Sequence, residues 1–259
     1  MRLYLSTFEF PKYQKMISKD FDFIYSSKYI LMSYFYCRLF SKKYEKECLK
    51  LLNGKNQDNN LILDSGAFSF MNGKGSTEKE MDQYVNDYID FINKWKIKRF
   101  IECDIDALFG YKKALYYRNL IEEKTGRQCI PVWHISRGLQ AWKDMVRDYD
   151  FVAIGGFVIK EVKPKMYPQI KKMIKYANYR GVKVHGLGYT SKDMDTFGFY
   201  STDSTNWSSG GRFGQIYQFK NNEMIQHPKP AGTRVVADKA DINNITAWIQ
   251  YQKYLDRGR

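Results

Sequence analysis

Two short segments carry the clearest chemistry in the chain: Leu61-Ile62-Leu63-Asp64-Ser65-Gly66-Ala67-Phe68 and Phe199-Tyr200-Ser201-Thr202-Asp203-Ser204. In each, an apolar run of strand length stops at a carboxylate followed by small polar residues, the pattern by which a parallel-barrel enzyme presents side chains at its catalytic rim. Other strand-length runs end at Cys103-Asp104-Ile105-Asp106, Trp133-His134-Ile135-Ser136, Gly155-Gly156-Phe157 and His185-Gly186-Leu187-Gly188. A single Asp at such a place commonly caps a helix or closes a turn. Acids and histidines recurring at successive strand ends predict one shared rim, and with it chemistry rather than binding alone.

The elements that must position this rim follow from periodicity. Runs rich in β-branched and aromatic residues predict eight strands, at Leu3–Thr7, Tyr29–Phe35, Leu61–Asp64, Arg99–Asp104, Ile130–Ile135, Phe151–Gly155, Val182–Gly186 and Phe199–Asp203. Helices are predicted at Ser41–Leu52, after Thr77, and at Tyr111–Lys124, Leu139–Arg147 and Pro164–Arg180. The one after Thr77 has the clearest pattern, with Met81, Tyr84, Val85, Tyr88, Ile89, Ile92 and Trp95 on one face and capping-box spacing between Thr77 and Glu80. Alternating strands and helices imply parallel pairing through right-handed crossovers. The 259 residues match one (β/α)8 barrel of about 250 residues. The expected architecture is therefore a single α/β TIM-type barrel over residues 1–259, with a hairpin strand at Gln215–Lys220 and a short C-terminal helical extension at Asp241–Leu255. An open doubly wound sheet is the alternative.

Forty-two Lys and Arg against 28 Asp and Glu leave a net charge of +14, which attracts a polyanion at long range and makes nucleic acid the leading partner. Cys37, Cys48, Cys103 and Cys129 are dispersed without a Cys-x-x-Cys pair, so neither a disulfide framework nor a structural metal site is indicated. No cofactor is called for. The most apolar early stretch, Tyr29–Cys37, is shorter than the roughly 18 residues of a spanning helix. A soluble protein of the reducing cytoplasm is expected, the host cytoplasm if the gene is viral.

The strand-end motifs resemble the tRNA-guanine transglycosylase superfamily, especially its phage-type branch that installs 7-deazaguanines in DNA. Leu63-Asp64-Ser65-Gly66-Ala67-Phe68 is similar to that family's Asp-Ser-Gly-Gly-Phe segment. Ile154-Gly155-Gly156 lies where the family has its glycine-rich base-binding strand, and His185-Gly186-Leu187-Gly188 resembles its Met-Gly-Val-Gly segment. Asp203 then occupies the nucleophile's place, followed by the glycine-rich segment that bears Arg212. The matches run in family order from about residue 61 to residue 214. The chain lacks the Cys-x-Cys-x-x-Cys zinc site of the tRNA enzymes and stops soon after its eighth strand, which favours the shorter DNA-directed relatives.

The resemblance implies an exchange of guanine for a 7-deazaguanine, such as 7-cyano-7-deazaguanine, with both free bases as ligands. Asp203 would be the nucleophile and Asp64 the general acid/base. Asp104 matches the base-reading Asp; Asp106, two residues on, can take the same role, and His134 falls where the tRNA enzymes carry a base-contacting Gln. Ser65, Gly155, Gly156 and Gly186 would admit the base closely, while Phe68, Tyr189 and Trp207 offer stacking faces. Arg212, Arg137 and Lys192 would hold phosphates. Other readings are the same chemistry on tRNA, a non-catalytic nucleic-acid-binding barrel subunit, and a glycosidase of small nucleosides, for which the +14 charge would have no use.

Overall fold

A computed structural model describes residues 1–71, 77–228, 232 and 236–257. In chain order the elements are β1 (Arg2–Leu5), α1 (Pro11–Lys19), α2 (Phe21–Tyr25), β2 (Ile30–Ser33), α3 (Tyr34–Cys37), α4 (Glu45–Gln57), β3 (Leu61–Asp64), α5 (Ala67–Met71), α6 (Glu78–Lys94) and α7 (Asp106–Thr125). They continue with β4 (Val132–Trp133), α8 (Gly138–Asp148), β5 (Phe151–Ile154), α9 (Tyr167–Tyr179), β6 (Lys183–Gly186), β7 (Ser201–Ser204), α10 (Ser209–Phe213), the hairpin β8 (Ile216–Lys220) and β9 (Glu223–His227), and α11 (Ala237–Arg257).

Seven strands form one curled parallel sheet in the order β3-β2-β1-β7-β6-β5-β4, a half-barrel rather than a closed eight-stranded barrel. The strand expected at Arg99–Asp104 is the exception. Only Phe100 and Ile101 pair there, as isolated parallel bridges to Leu63 and Ile130. The run ends at Glu102, whose buried carboxylate takes Arg118 Nε at 2.6 Å, Arg137 Nη1 at 2.6 Å and the Val132 N–H at 2.6 Å. Backbone bonds still run on both sides of this stretch, from the Ile101 N–H to the Leu63 carbonyl and from the Glu102 N–H to the Ile130 carbonyl, and the side-chain partners of Glu102 hold the chain where that pairing stops.

Strand alternation sorts the core. Leu3 and Leu5, Ile30 and Met32, Leu61 and Leu63, and Val152 and Ile154 pack outward under the helices. Tyr4, Leu31, Ile62, Ile101, Val132, Phe151 and Ala153 meet on the concave side. The same period of two puts Asp64 with Ile62, His134 with Val132, and Gly155 with Ala153, so the chemistry-bearing side chains continue the concave face at its carboxyl edge.

Helix α6 holds that edge. Thr77 caps it reciprocally with Glu80, and Met81, Tyr84, Val85, Tyr88, Ile89 and Ile92 are buried, as the periodicity predicts. Its tyrosines also reach the sheet: Tyr84 Oη donates to the Ser65 carbonyl at 2.5 Å, and Tyr88 Oη to that of Ile101 at 2.9 Å. The C-terminal helix α11 is longer than expected, and Gln252 Nε2 on it donates to the Leu3 and Tyr29 carbonyls, tying the end of the chain to the first two strands. Helices α1 and α2 went unpredicted because a nine-residue and a five-residue helix give little periodic signal.

Candidate active site

The carboxyl edge of the sheet opens into a cavity of about 310 Å³ whose walls include Asp64, Asp104, His134, Gly155, Gly156, Phe68 and Asp203, a size suited to a small organic ligand. Asp64 ends β3. The Gly66 N–H donates to its Oδ2 at 3.0 Å. This turn needs glycine: φ is +69°, and a Cβ would stand 2.5 Å from both Phe35 Cβ and Ser33 Oγ. Burial, then the nearby charges of Asp104 and Asp203, raise the Asp64 carboxyl to about 7.

Asp203 lies across the sheet on β7 and is clamped. The Gly188 N–H donates to its Oδ1 at 2.7 Å, His185 Nε2 stands 3.2 Å from the same oxygen, and Ser6 Oγ donates to Oδ2 at 3.3 Å. His185 is itself fixed through Nδ1, 2.8 Å from Ser201 Oγ. A carboxylate held by several donors keeps one orientation toward the cavity while remaining a nucleophile. Nearby, His134 Nε2 lies 3.0 Å from Asp104 Oδ2, and its Nδ1 faces Glu161 at 3.6 Å. Burial disfavours the imidazolium, but the Asp104 hydrogen bond and charge outweigh it, so the ring's pKa is raised. Gly155 leaves room for that ring, since a Cβ would come within 2.6 Å of His134 Cε1.

Several predicted contacts lie elsewhere. Asp106 begins α7 and faces Arg137, whose Nε donates to it at 2.8 Å; Arg137, with its side chain wholly buried between Asp106 and Glu102, is a structural cation and not a phosphate ligand. Trp207 is buried on Phe8 and Tyr13 with Nε1 donating to the Ser6 carbonyl, and Tyr189 is buried among Phe157, Phe197 and Phe199, so neither offers a free stacking face. Ser65 turns inward to accept from the Ala67 N–H. Gly186 makes room for the Phe199 ring, 2.8 Å from where a Cβ would be, rather than for a base. Phe68 does line the cavity, 53% exposed. Lys192 is exposed in the connection between β6 and β7, and the Arg212 side chain lies outside the described residues.

Sequence reasoning missed Ser6, Thr7, Glu9, Ser33 and Gly188 on the cavity wall, and the part played by His185. Strand alternation would have found His185, which stands one position from outward-facing Val184 and is the register partner of Ser201. Ser6, Thr7, Glu9 and Gly188 sit on loops after β1 and β6, where no periodicity operates, and Ser33 is the last residue of β2. A smaller hollow of about 200 Å³ between α1 and α11 is a packing seam in which Asp241 is already paired with Lys12, Tyr13 and the Gly211 N–H. No protein-family model matches the chain, and neither does any curated protein.

Proposed function

We propose that the protein is a base-exchange transglycosylase that replaces guanine in DNA by a 7-deazaguanine. The observation that carries this reading is the meeting of Asp64 and Asp203, from strands at opposite flanks of β1 and β2, in one cavity with different environments. One acid retains a proton near neutrality; the other is held by three donors. Such a division is what acid–base and nucleophilic roles require of two carboxyls.

Asp203 attacks C1′ of the sugar through an oxocarbenium-like transition state as the bond to N9 breaks, and Asp64 delivers its proton to the departing guanine. The incoming base then loses its N9 proton to Asp64, attacks C1′, and expels Asp203 from the sugar ester. Two displacements retain configuration. Asp104 and His134 form a donor–acceptor pair for the purine edge, with Gly155 and Gly156 permitting close approach and Phe68 supplying an exposed ring. The pairing of Phe100 and Ile101 with strands on either side supports reading residues 99–102 as the eighth stave of a (β/α)8 barrel. DNA inside a cell would place the protein in the cytoplasm.

Incubation with labelled guanine and, separately, duplex DNA, single-stranded DNA and tRNA tests the reading. Label entering DNA, and lost in Asp203→Asn while DNA binding persists, is the expected result. Label only in tRNA would move the substrate to RNA, and DNA binding without label in any polymer would favour the non-catalytic subunit.

A further inference from the structure

Three buried polar atoms of residues that line the cavity have no hydrogen-bond partner among the described residues: Thr7 Oγ1, Glu9 Oε2 and Ser33 Oγ. They come from adjacent pieces of chain, the loop after β1 and the last residue of β2, and Ser33 is the register partner of Asp64. Unpartnered buried polar groups are rare because each forgoes a bond it would make in water; three at one wall of one cavity indicate bonds completed by a ligand. Thr7 adds a second sign. It is β-branched yet sits at φ +81°, a conformation that side chain ordinarily avoids and that clusters at ligand sites.

Glu9 is 2% exposed, and its other oxygen, Oε1, already accepts the Ser33 N–H at 3.1 Å. Among the described residues no cation is paired with it, Asp64 is nearby, and burial followed by that charge raises the carboxyl to about 8. The thiols of Cys37 and Cys48 on the outer side also sense it and are themselves pushed up by burial. Near neutrality Glu9 therefore presents an O–H, as Thr7 and Ser33 do.

We infer that Glu9, Thr7 and Ser33 form a second polar subsite that takes an uncharged hydrogen-bond-accepting group of the ligand, with Glu9 the residue that sets specificity. An anion would meet no Lys or Arg among the described residues that line the cavity, and a cation would have to strip the proton from Glu9. The inference shares with the proposed function the premise that this cavity holds the ligand, but it does not require base exchange.

Calorimetric titration of the full chain with guanine, 2′-deoxyguanosine and D-ribose as uncharged probes, and inorganic phosphate and guanidinium as charged ones, tests it in wild type, Glu9→Gln and Glu9→Leu. Gln keeps the acceptor toward the Ser33 N–H and a donor in place of Oε2–H. At least one uncharged probe is expected to bind wild type, to bind Glu9→Gln within about threefold, and to lose at least about tenfold in Glu9→Leu, the worth of one good hydrogen bond. Circular dichroism and melting confirm that each variant is folded. Should Glu9→Leu unfold, Thr7→Val and Ser33→Ala carry the same comparison, each expected to weaken the same probe at least threefold. Equal affinity in all variants, equal loss in Gln and Leu, preference for a charged probe, or no uncharged probe bound by wild type would overturn the subsite. Binding of the uncharged probe with this pattern, but without label exchange into any polymer, would retain the subsite and remove the transglycosylase reading.

Discussion

Asp64 and Asp203 have the same functional group and opposite surroundings, and that difference makes the proposed mechanism measurable. Release of guanine needs Asp64 to hold its proton, so single-turnover release from DNA should fall as pH rises through about 7. Asp64→Asn should slow release by roughly 10²–10⁴-fold and flatten that profile; a variant keeping the wild-type pH dependence would assign the proton to another group. Asp203→Asn should abolish exchange by about 10³-fold or more and leave no trapped sugar–protein ester on denaturing gels. Buried acids also affect folding. Between their ordinary carboxylate range and their raised values of about 7 and about 8, Asp64 and Glu9 are protonated in the folded chain and ionised in the unfolded one. The folded state binds more protons there, so stability is greatest at the acidic end and declines as pH rises. Glu102, which burial would raise but Arg137 and Arg118 hold low, acts in the opposite sense only at more acidic pH. Glu9→Gln should therefore melt higher than wild type at about pH 9 and lose that advantage near pH 5, as differential scanning calorimetry would show.

Helix α6 shows which parts of the site the sequence specifies locally. Its cap, buried face and start were legible because each rests on spacing within one segment, and the strand end carrying Asp64 was legible for the same reason. Its reach to the sheet was not: the bonds from Tyr84 to the Ser65 carbonyl and from Tyr88 to the Ile101 carbonyl link residues whose spatial relation only the packed fold creates. The strand read at 99–104, which pairs only over its first residues, and the reading of Arg137 as a phosphate contact share one cause. Arg118, Arg137, Glu102 and Asp106 satisfy one another inside the protein, so an arginine that reads as a surface phosphate contact is spent on holding the carboxyl edge. Glycines behaved likewise, with Gly155 shaped by the His134 ring and Gly186 by Phe199. Thr77→Ala should cost about 1 kcal/mol by removing the cap. Tyr88→Phe should cost about 1 kcal/mol by leaving the buried Ile101 carbonyl without that donor, and it should also slow exchange by loosening the edge between β3 and residue 101. Denaturant melts and initial rates on the same samples would separate the two effects.

The molecule as a whole is basic while its cavity is acidic. A net charge of +14 surrounds a hollow walled by Glu9, Asp64, Asp104 and Asp203, with Glu161 beside His134. These fields act on different parts of a substrate. Under the proposed function the surface would attract a phosphate backbone and release counterions, whereas the cavity offers a phosphate no Lys or Arg among its described residues and suits neutral polar groups, so a strand would dock outside while only an everted base enters. Steering and recognition should then part under salt. Raising salt from roughly 50 to 200 mM should weaken DNA binding by about tenfold or more, with a linear log–log slope. Binding of free guanine should change by less than about twofold, because buried neutral contacts are little screened. Lys192→Glu should lower the DNA slope and affinity and leave guanine binding unchanged. Fluorescence anisotropy for DNA and calorimetry for guanine measure both. A DNA affinity insensitive to salt would mean that the surface charge does not serve a nucleic acid, and a guanine affinity falling in step with DNA would mean that the base is held on the basic exterior rather than in the acidic cavity.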